Sequence, residues 1–140
     1  MTSPSTSRVD LHCHSTASVL SKLGVQTSLG LPECATPPED VLELAVRRGM
    51  DFVTITDHDT IDGALSIADD PRVFVSEELT VAFKGEPQAR CTSSAGTSPR
   101  TTTTGSRPTT ATLRACASYL HEHEIVYALA HPFFAVGARR

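Results

Sequence analysis

The fold of this chain is organised around residues 9–14, Val9-Asp10-Leu11-His12-Cys13-His14. Successive side chains of an extended strand alternate between faces, so His12 and His14 point to one side while Leu11 and Cys13 point to the other. Two imidazoles about 7 Å apart along one strand edge can converge on a single cation. An isolated His-x-His is just as typical of a strand end with two solvated histidines. The rest of the chain therefore decides what this pair means.

A helix and a buried strand follow the first motif. Thr36-Pro37-Pro38-Glu39 is typical of a helix start, because Thr36 can cap the first amides and proline is tolerated in the first turn. An apolar stripe over residues 41–46 and the stop residue Gly49 complete the helix. The strand predicted over residues 51–56 then ends in the polar cluster Asp57-His58-Asp59.

The same alternation continues downstream. A helix is predicted over residues 61–69, a strand over 72–75 that leads into Ser76-Glu77-Glu78, a helix over 113–123, and a strand over 125–130 that runs into His131-Pro132. Residues 79–83 either continue the third strand or return as another one. Strands that alternate with helices predict an α/β fold with parallel βα units, as a barrel or a doubly wound sheet.

Each polar cluster falls at the carboxyl end of a predicted strand, where such folds build their active sites. Three or four imidazoles plus a carboxylate exceed what one tetrahedral zinc ion needs and suit two or more bridged cations. A pair about 4 Å apart lowers the pKa of bound water to near neutrality and clamps the oxygens of a phosphoester. The pattern therefore predicts metal-dependent phosphoester hydrolysis by a metal-activated water, with the candidate ligands His12, His14, His58, Glu78 and His131.

Three carboxylates could support these ligands. Asp10, Asp57 and Asp59 are placed to orient imidazole N–H groups, although helix capping is an alternative role for Asp57 and Asp59. Glu78 is preferred to Glu77 as a ligand, since neighbouring strand residues face opposite ways.

Composition limits the class of protein. The 140 residues are 39% hydrophobic and 20% charged, which fits one modest globular domain, with residues 1–7 a flexible tail and residues 8–136 the domain. A net charge of −4 without a basic patch argues against nucleic-acid binding. No apolar run could span a bilayer or serve as a signal, so a cytoplasmic protein is expected. The four cysteines lack Cys-x-x-Cys spacing and are expected to be free thiols, with Cys13 used in packing.

With these residues identified, the sequence resembles the PHP (polymerase and histidinol phosphatase) family of metal-dependent phosphoesterases. The matching motifs are Asp10-Leu11-His12-Cys13-His14-Ser15, Thr36-Pro37, Ile55-Thr56-Asp57-His58-Asp59, Asp62-Gly63-Ala64, Ser76-Glu77-Glu78 and Ala130-His131-Pro132. The resemblance implies a distorted, TIM-like barrel of seven strands that holds two or three divalent metals (Mn, Fe, Zn or Mg). It places the ligands on His12, His14, His58, Glu78 and His131 and implies a phosphorylated small molecule or another phosphoester as substrate.

Three departures from the family pattern affect this interpretation. Valine stands in Ala17-Ser18-Val19 where many members have an acidic ligand, and a further histidine expected after the glutamate motif is missing. The closing Asp-x-His of the family is also absent, because the sequence stops at Arg140. The expected fold is therefore an incomplete distorted βα barrel of about four of the seven strands, a truncated domain with an open edge.

Residues 90–111 differ from the rest of the domain. From Arg90 to Ala111 the chain is rich in Thr, Ser, Pro and Gly and has no Leu, Ile, Val or aromatic residue. This composition is typical of a disordered loop. A frameshift is the favoured alternative: with the frame moved back one base, the codons of residues 90–94 can encode Val-His-Val-Leu, a buried strand that supplies the missing histidine. Sequencing the encoding DNA across codons 85–115 tests this hypothesis.

Two alternatives to the phosphoesterase remain open at this stage. The chain could be an inactive relic with at most weak metal binding, in which case phosphoester hydrolysis is only its ancestral activity. His-x-His on a first barrel strand also begins many metal-dependent amidohydrolases, although Thr-Asp-His-Asp after the second strand is not expected in that class. We expect low or zero turnover from the 140-residue form.

Overall fold

A computed structural model describes residues 6–18, 34–83, 86–94 and 112–130, with the backbone alone described over 82–83 and 86–94. The elements in these ranges are, in chain order, β1 (Val9–Asp10), α1 (Pro38–Arg47), β2 (Phe52–Val53), α2 (Asp62–Ser66), β3 (Ser76–Phe83), β4 (Glu86–Ser94), α3 (Leu113–Glu122) and β5 (Val126–Leu129). The chain is thus mixed α/β, with a two-stranded and a three-stranded sheet.

The amino-terminal half has parallel pairing. β1 lies parallel to β2, with Val9 opposite Phe52. Two isolated parallel bridges continue this pairing: Val53 of β2 pairs with Val73, and His58, beyond β2, pairs with Glu78 of β3. The strand predicted over residues 72–75 is reduced to the single bridge at Val73, and the regular strand begins at Ser76. A larger βα barrel stays a prediction.

The second half has antiparallel pairing. β3 continues through residues 79–83, and β4 lies antiparallel to it, with Glu78 opposite Thr92. β5 lies antiparallel to β4 on its other side, with Cys91 opposite Leu129. Residues 90–94 of the anomalous segment therefore lie in a strand, whereas residues 95–111 lie outside the described residues. The frameshift concerns the encoding DNA and stays a prediction.

Two apolar clusters hold these sheets to their helices. Near α1 and α2, Ile55, Ala64 and Ile67 are buried against partly buried neighbours that include Val41 and Val73. On the other side, α3 packs Cys116 and Leu120 against Val81 of β3. Because β3 alternates, Leu79 and Val81 face α3, so Glu78 and Thr80 point to the opposite side. This alternation places Glu78 beside the first sheet.

The observed helix ends agree in part with those predicted from the sequence. α1 ends before Gly49, whose φ of +74° suits glycine, and the Thr112 hydroxyl caps α3 by accepting from Ala115 N at 3.3 Å. The predicted Thr36 cap is wrong, because Pro37 occupies the N-cap position of α1 without a side-chain cap. The Thr36 carbonyl instead accepts from Thr16 N at 2.9 Å. Within the described ranges, none of the helices has the length and apolar character needed to cross a bilayer.

Candidate metal centre

The ends of three neighbouring extended segments bring the candidate residues together. His12 and His14 follow β1, His58 lies five residues beyond β2, and Glu78 is the third residue of β3. Backbone hydrogen bonds align the last two segments: Glu78 N donates to Asp57 O at 3.1 Å, and Asp59 N donates to Glu78 O at 3.0 Å. These bonds place the Glu78 side chain in register with His58.

Three imidazoles surround one carboxylate oxygen. Glu78 Oε2 lies 3.3 Å from His14 Nε2, 3.3 Å from His58 Nδ1 and 3.8 Å from His12 Nε2. Ligand atoms of His12, His14 and Glu78 all lie within 4.8 Å of one another, as in a group able to hold a metal ion. The structure therefore contains a possible metal-binding triad, with His58 on its inner side.

The Glu78 carboxylate has the environment of a ligand rather than of a hydrogen-bonded core group. Its side chain is fully buried, and among the described residues neither oxygen has a hydrogen-bond partner; His14 Nδ1 is also buried without one. Donor atoms bound to one cation at about 2.1 Å are about 3.4 Å apart at tetrahedral angles, close to the spacing found here. Without a cation, a buried carboxylate in this state would be costly. The donor set thus fits a divalent metal.

Electrostatics keep this carboxylate ionised. Burial by itself raises the pKa of the Glu78 carboxyl, but contact with His14 and the positive charges on His58 and His12 lower it below its usual value. An ionised carboxylate beside imidazoles is a donor set that zinc, iron and manganese accept.

Exposure increases across the site. The side-chain exposure is 0% for Glu78, 6% for His58, 21% for His14 and 32% for His12. The His14 ring lies between the others, with ring centroids 5.0 Å from His12 and 4.5 Å from His58. The His12 side is therefore open to solvent, as a catalytic metal site with an exchangeable position requires.

A buried carboxylate fixes the loop that carries the first two histidines. Asp57 is 1% exposed and accepts from Ser15 N and from Ser15 Oγ, both at 2.6 Å. Gly63 of α2 packs against this pair so closely that an added Cβ would overlap the Asp57 carboxylate and lie 2.6 Å from Ser15 Oγ. The hydrogen bonds described for the Asp57 side chain are to Ser15, so this carboxylate orients the histidines through the segment that carries them rather than through an imidazole N–H.

Asp10 and Asp59, the other two candidate carboxylates, also accept hydrogen bonds from backbone amides. Asp10 Oδ1 accepts from His12 N at 3.4 Å. Asp59, whose φ is +53°, accepts from Thr80 N and Thr80 Oγ1, both at 2.8 Å. Asp59 therefore joins the second segment to β3 next to Glu78. Helix capping is not its role, because Ile61 is the N-cap of α2.

Sequence reasoning missed two serines and a threonine that position the histidines. Ser15 binds Asp57, Ser18 Oγ accepts from His58 N at 3.1 Å, and the Thr56 hydroxyl contacts the His12 ring. The sequence offers no signal for these contacts, because Ser15 is 42 residues from Asp57 and Ser18 is 40 residues from His58.

The Cys13 thiol, between the two histidines, is directed away from the site. It donates to Thr54 O at 2.8 Å, which agrees with the packing role predicted for it. Cys13, Cys34 and Cys116 are all free thiols, as their spacing predicts. Burial, and then the negative charge of Glu77, raise the pKa of the Cys116 thiol.

We expect Cys13 to resist alkylation by iodoacetamide in the folded protein. Burial above all, and then the charges of Asp10 and Asp57, raise the pKa of the Cys13 thiol to about 12. At about pH 8 only roughly one molecule in ten thousand then carries the reactive thiolate. Peptide mass spectrometry after timed labelling checks this, with protein in urea as the control. Equal labelling rates with and without urea would contradict the structure.

Glu77 does not face the three imidazoles. Its negative charge raises the pKa of the Cys116 thiol on α3, and this helix packs on the side of β3 opposite to the histidines. His131 lies outside the described residues.

Comparisons of the chain with models of protein families, with curated proteins and with solved structures found no match.

Proposed function

We propose that this chain is a metal-dependent phosphoesterase of the kind its motifs resemble. The observation that carries the proposal is the Glu78 carboxylate, which is fully buried, has no hydrogen-bond partner among the described residues, and has three imidazole nitrogens 3.3–3.8 Å from one of its oxygens. A divalent cation at such a site supplies an activated water near neutral pH and neutralises charge that develops on a phosphoester.

The residues of the site would have the following roles. His12, His14, His58 and Glu78 hold the cation, and the exposed side near His12 admits the substrate. The Asp57–Ser15 pair and Ser18 keep the two histidine-bearing segments at a fixed separation. Donors held on three segments in this way give the preorganisation that metal catalysis needs.

The number of cations is part of the proposal. Three imidazoles and one carboxylate would fill all four positions of one tetrahedral ion, so a bound water requires a fifth position or the sharing of these donors with a second ion. The family resemblance implies two or three ions of Mn, Fe, Zn or Mg. A second ion would need donors beyond these four residues, and His131 is the candidate that the sequence offers. Phosphorylated small molecules are the proposed substrates.

Metal analysis and a phosphatase assay test this proposal together. We expect elemental analysis to find at least one zinc, iron or manganese ion per chain, and nitrophenol release from nitrophenyl phosphate to be low but to increase with added manganese. His12→Ala should remove both, because it removes a donor from the open side of the site. Arg47→Ala, which breaks only an exposed ion pair with Glu43 on α1, is the control and should change neither.

Each other result has a definite meaning. Metal binding without hydrolysis of any phosphoester would support the alternative of an inactive relic. Cleavage of amides but not of phosphoesters would support a metal-dependent amidohydrolase. Purified protein that takes up no cation would overturn the proposal altogether.

A further inference from the structure

The Thr56 side chain lies against the His12 ring, inside the protein. Thr56 is fully buried, and its Oγ1 is 3.2 Å from His12 Nδ1. The same hydroxyl donates to the Cys13 carbonyl at 3.1 Å, and Thr56 N donates to that carbonyl at 2.7 Å. Two hydrogen bonds therefore fix Thr56 to the segment that carries His12 and His14.

Counting protons assigns the direction of the contact with the ring. A threonine hydroxyl has one proton and two lone pairs, and a carbonyl oxygen can only accept. Because the hydroxyl proton goes to Cys13 O, the hydroxyl can only accept from His12, which requires a proton on Nδ1. If the hydroxyl instead donated its proton to His12 Nδ1, lone pairs on Thr56 Oγ1 and on Cys13 O would face each other at 3.1 Å and repel.

This assignment leaves a lone pair on the nitrogen that faces the candidate metal centre. His12 Nε2 is the ring atom that lies 3.8 Å from Glu78 Oε2. A histidine binds metal through an unprotonated nitrogen, and the hydrogen bond made by its other nitrogen determines which one that is. Thr56 meets this requirement from a different segment of the chain, after β2.

We propose that Thr56 is a positioning residue that holds His12 as the Nδ1–H tautomer and so makes Nε2 its ligand atom. The effect on metal affinity rests on the proposed function, whereas the tautomer can be measured without any metal. An isosteric Thr56→Val variant loses the acceptor, and Thr56→Ser keeps it. Thr54→Val is the matched control, because Thr54 is equally buried but its hydroxyl bonds to Phe74 O and Ser76 Oγ.

The experiment combines nitrogen NMR of histidine with zinc titration. In metal-free protein labelled with ¹⁵N-histidine, at a pH where the rings are neutral, His12 should carry its proton on Nδ1 in the wild type, in Thr56→Ser and in Thr54→Val. In Thr56→Val the ring should exchange between tautomers. Zinc affinity, measured against a chelating dye, should fall roughly 10- to 100-fold in Thr56→Val and be retained in Thr56→Ser.

The two proposals fail in different ways. A proton on Nε2 of His12 in the metal-free wild type overturns the role of Thr56, whether or not zinc binds. Equal tautomer populations in wild type and Thr56→Val overturn it too, as does an equal loss of affinity in Thr56→Val and Thr54→Val. If the tautomer is as expected but neither the wild type nor any variant binds zinc, the proposed metal site is wrong, and the role of Thr56 in positioning the His12 ring is retained.

Discussion

Replacing Glu78 with glutamine is expected to lower zinc affinity by more than about 100-fold, because loss of a supporting partner alone costs roughly 10- to 100-fold. Glutamine preserves the shape of the side chain but removes the negative charge that faces three imidazoles at 3.3–3.8 Å. The metal-free variant should stay folded, since glutamine keeps the shape of the side chain and avoids the cost of desolvating a charge at a fully buried position.

Glu77→Gln is the control for this experiment. It makes the same chemical change one residue earlier in β3, on the side that faces Cys116. Zinc titrations monitored by competition with a dye, together with circular dichroism of both variants, separate ligand loss from unfolding. Zinc binding by Glu78→Gln at wild-type affinity would show that this carboxylate is not a ligand.

Gly63→Ala is expected to lower the free energy of unfolding by about 2–6 kcal/mol, since overpacking and an unsatisfied buried polar group each cost about 1–3 kcal/mol. The new methyl group would overlap the Asp57 carboxylate and press on Ser15 Oγ, so the two bonds between Asp57 and Ser15 could not both be kept. Urea unfolding followed by circular dichroism measures the change.

Two further variants identify the cause of this loss. Leu65→Ala alters an exposed side chain of the same helix and should have a much smaller effect. In an Asp57→Ala background the carboxylate is gone, so Gly63→Ala should cost less there than in the wild type. Equal costs in both backgrounds would mean that the contact with Asp57 is not the reason for glycine at this position.

Local sequence patterns predicted the two longer helices and the face of β3 on which Glu78 lies. The proline-rich start and Gly49 fix α1 at Pro38–Arg47, and the predicted helix over residues 113–123 is confirmed as Leu113–Glu122. Alternation along β3 correctly separates Glu78 from Glu77. These features depend on neighbours in sequence, and so one sequence is enough to predict them.

Features that depend on distant partners could not be predicted in this way. β4 includes residues 90–94, whose composition favours a loop, but it is paired on both sides by β3 and β5. Such pairing can override a weak strand propensity. Ser15 and Asp57 are 42 residues apart in sequence, and Thr56 is 44 from His12, so only the folded chain shows that they meet. Short motifs contain no information about these contacts.

β3 is bonded along both of its edges, on one side to residues 55–59 and on the other to β4. The strand that carries Glu78 therefore belongs to the three-stranded sheet and to the apolar cluster against α3, and it is also bonded to the segment that follows β2. Any gain in stability from an ion held by Glu78 would spread to α3 and its packing, so the two halves would melt in a single cooperative transition. Natural selection on the ion site would then also constrain residues that never approach it.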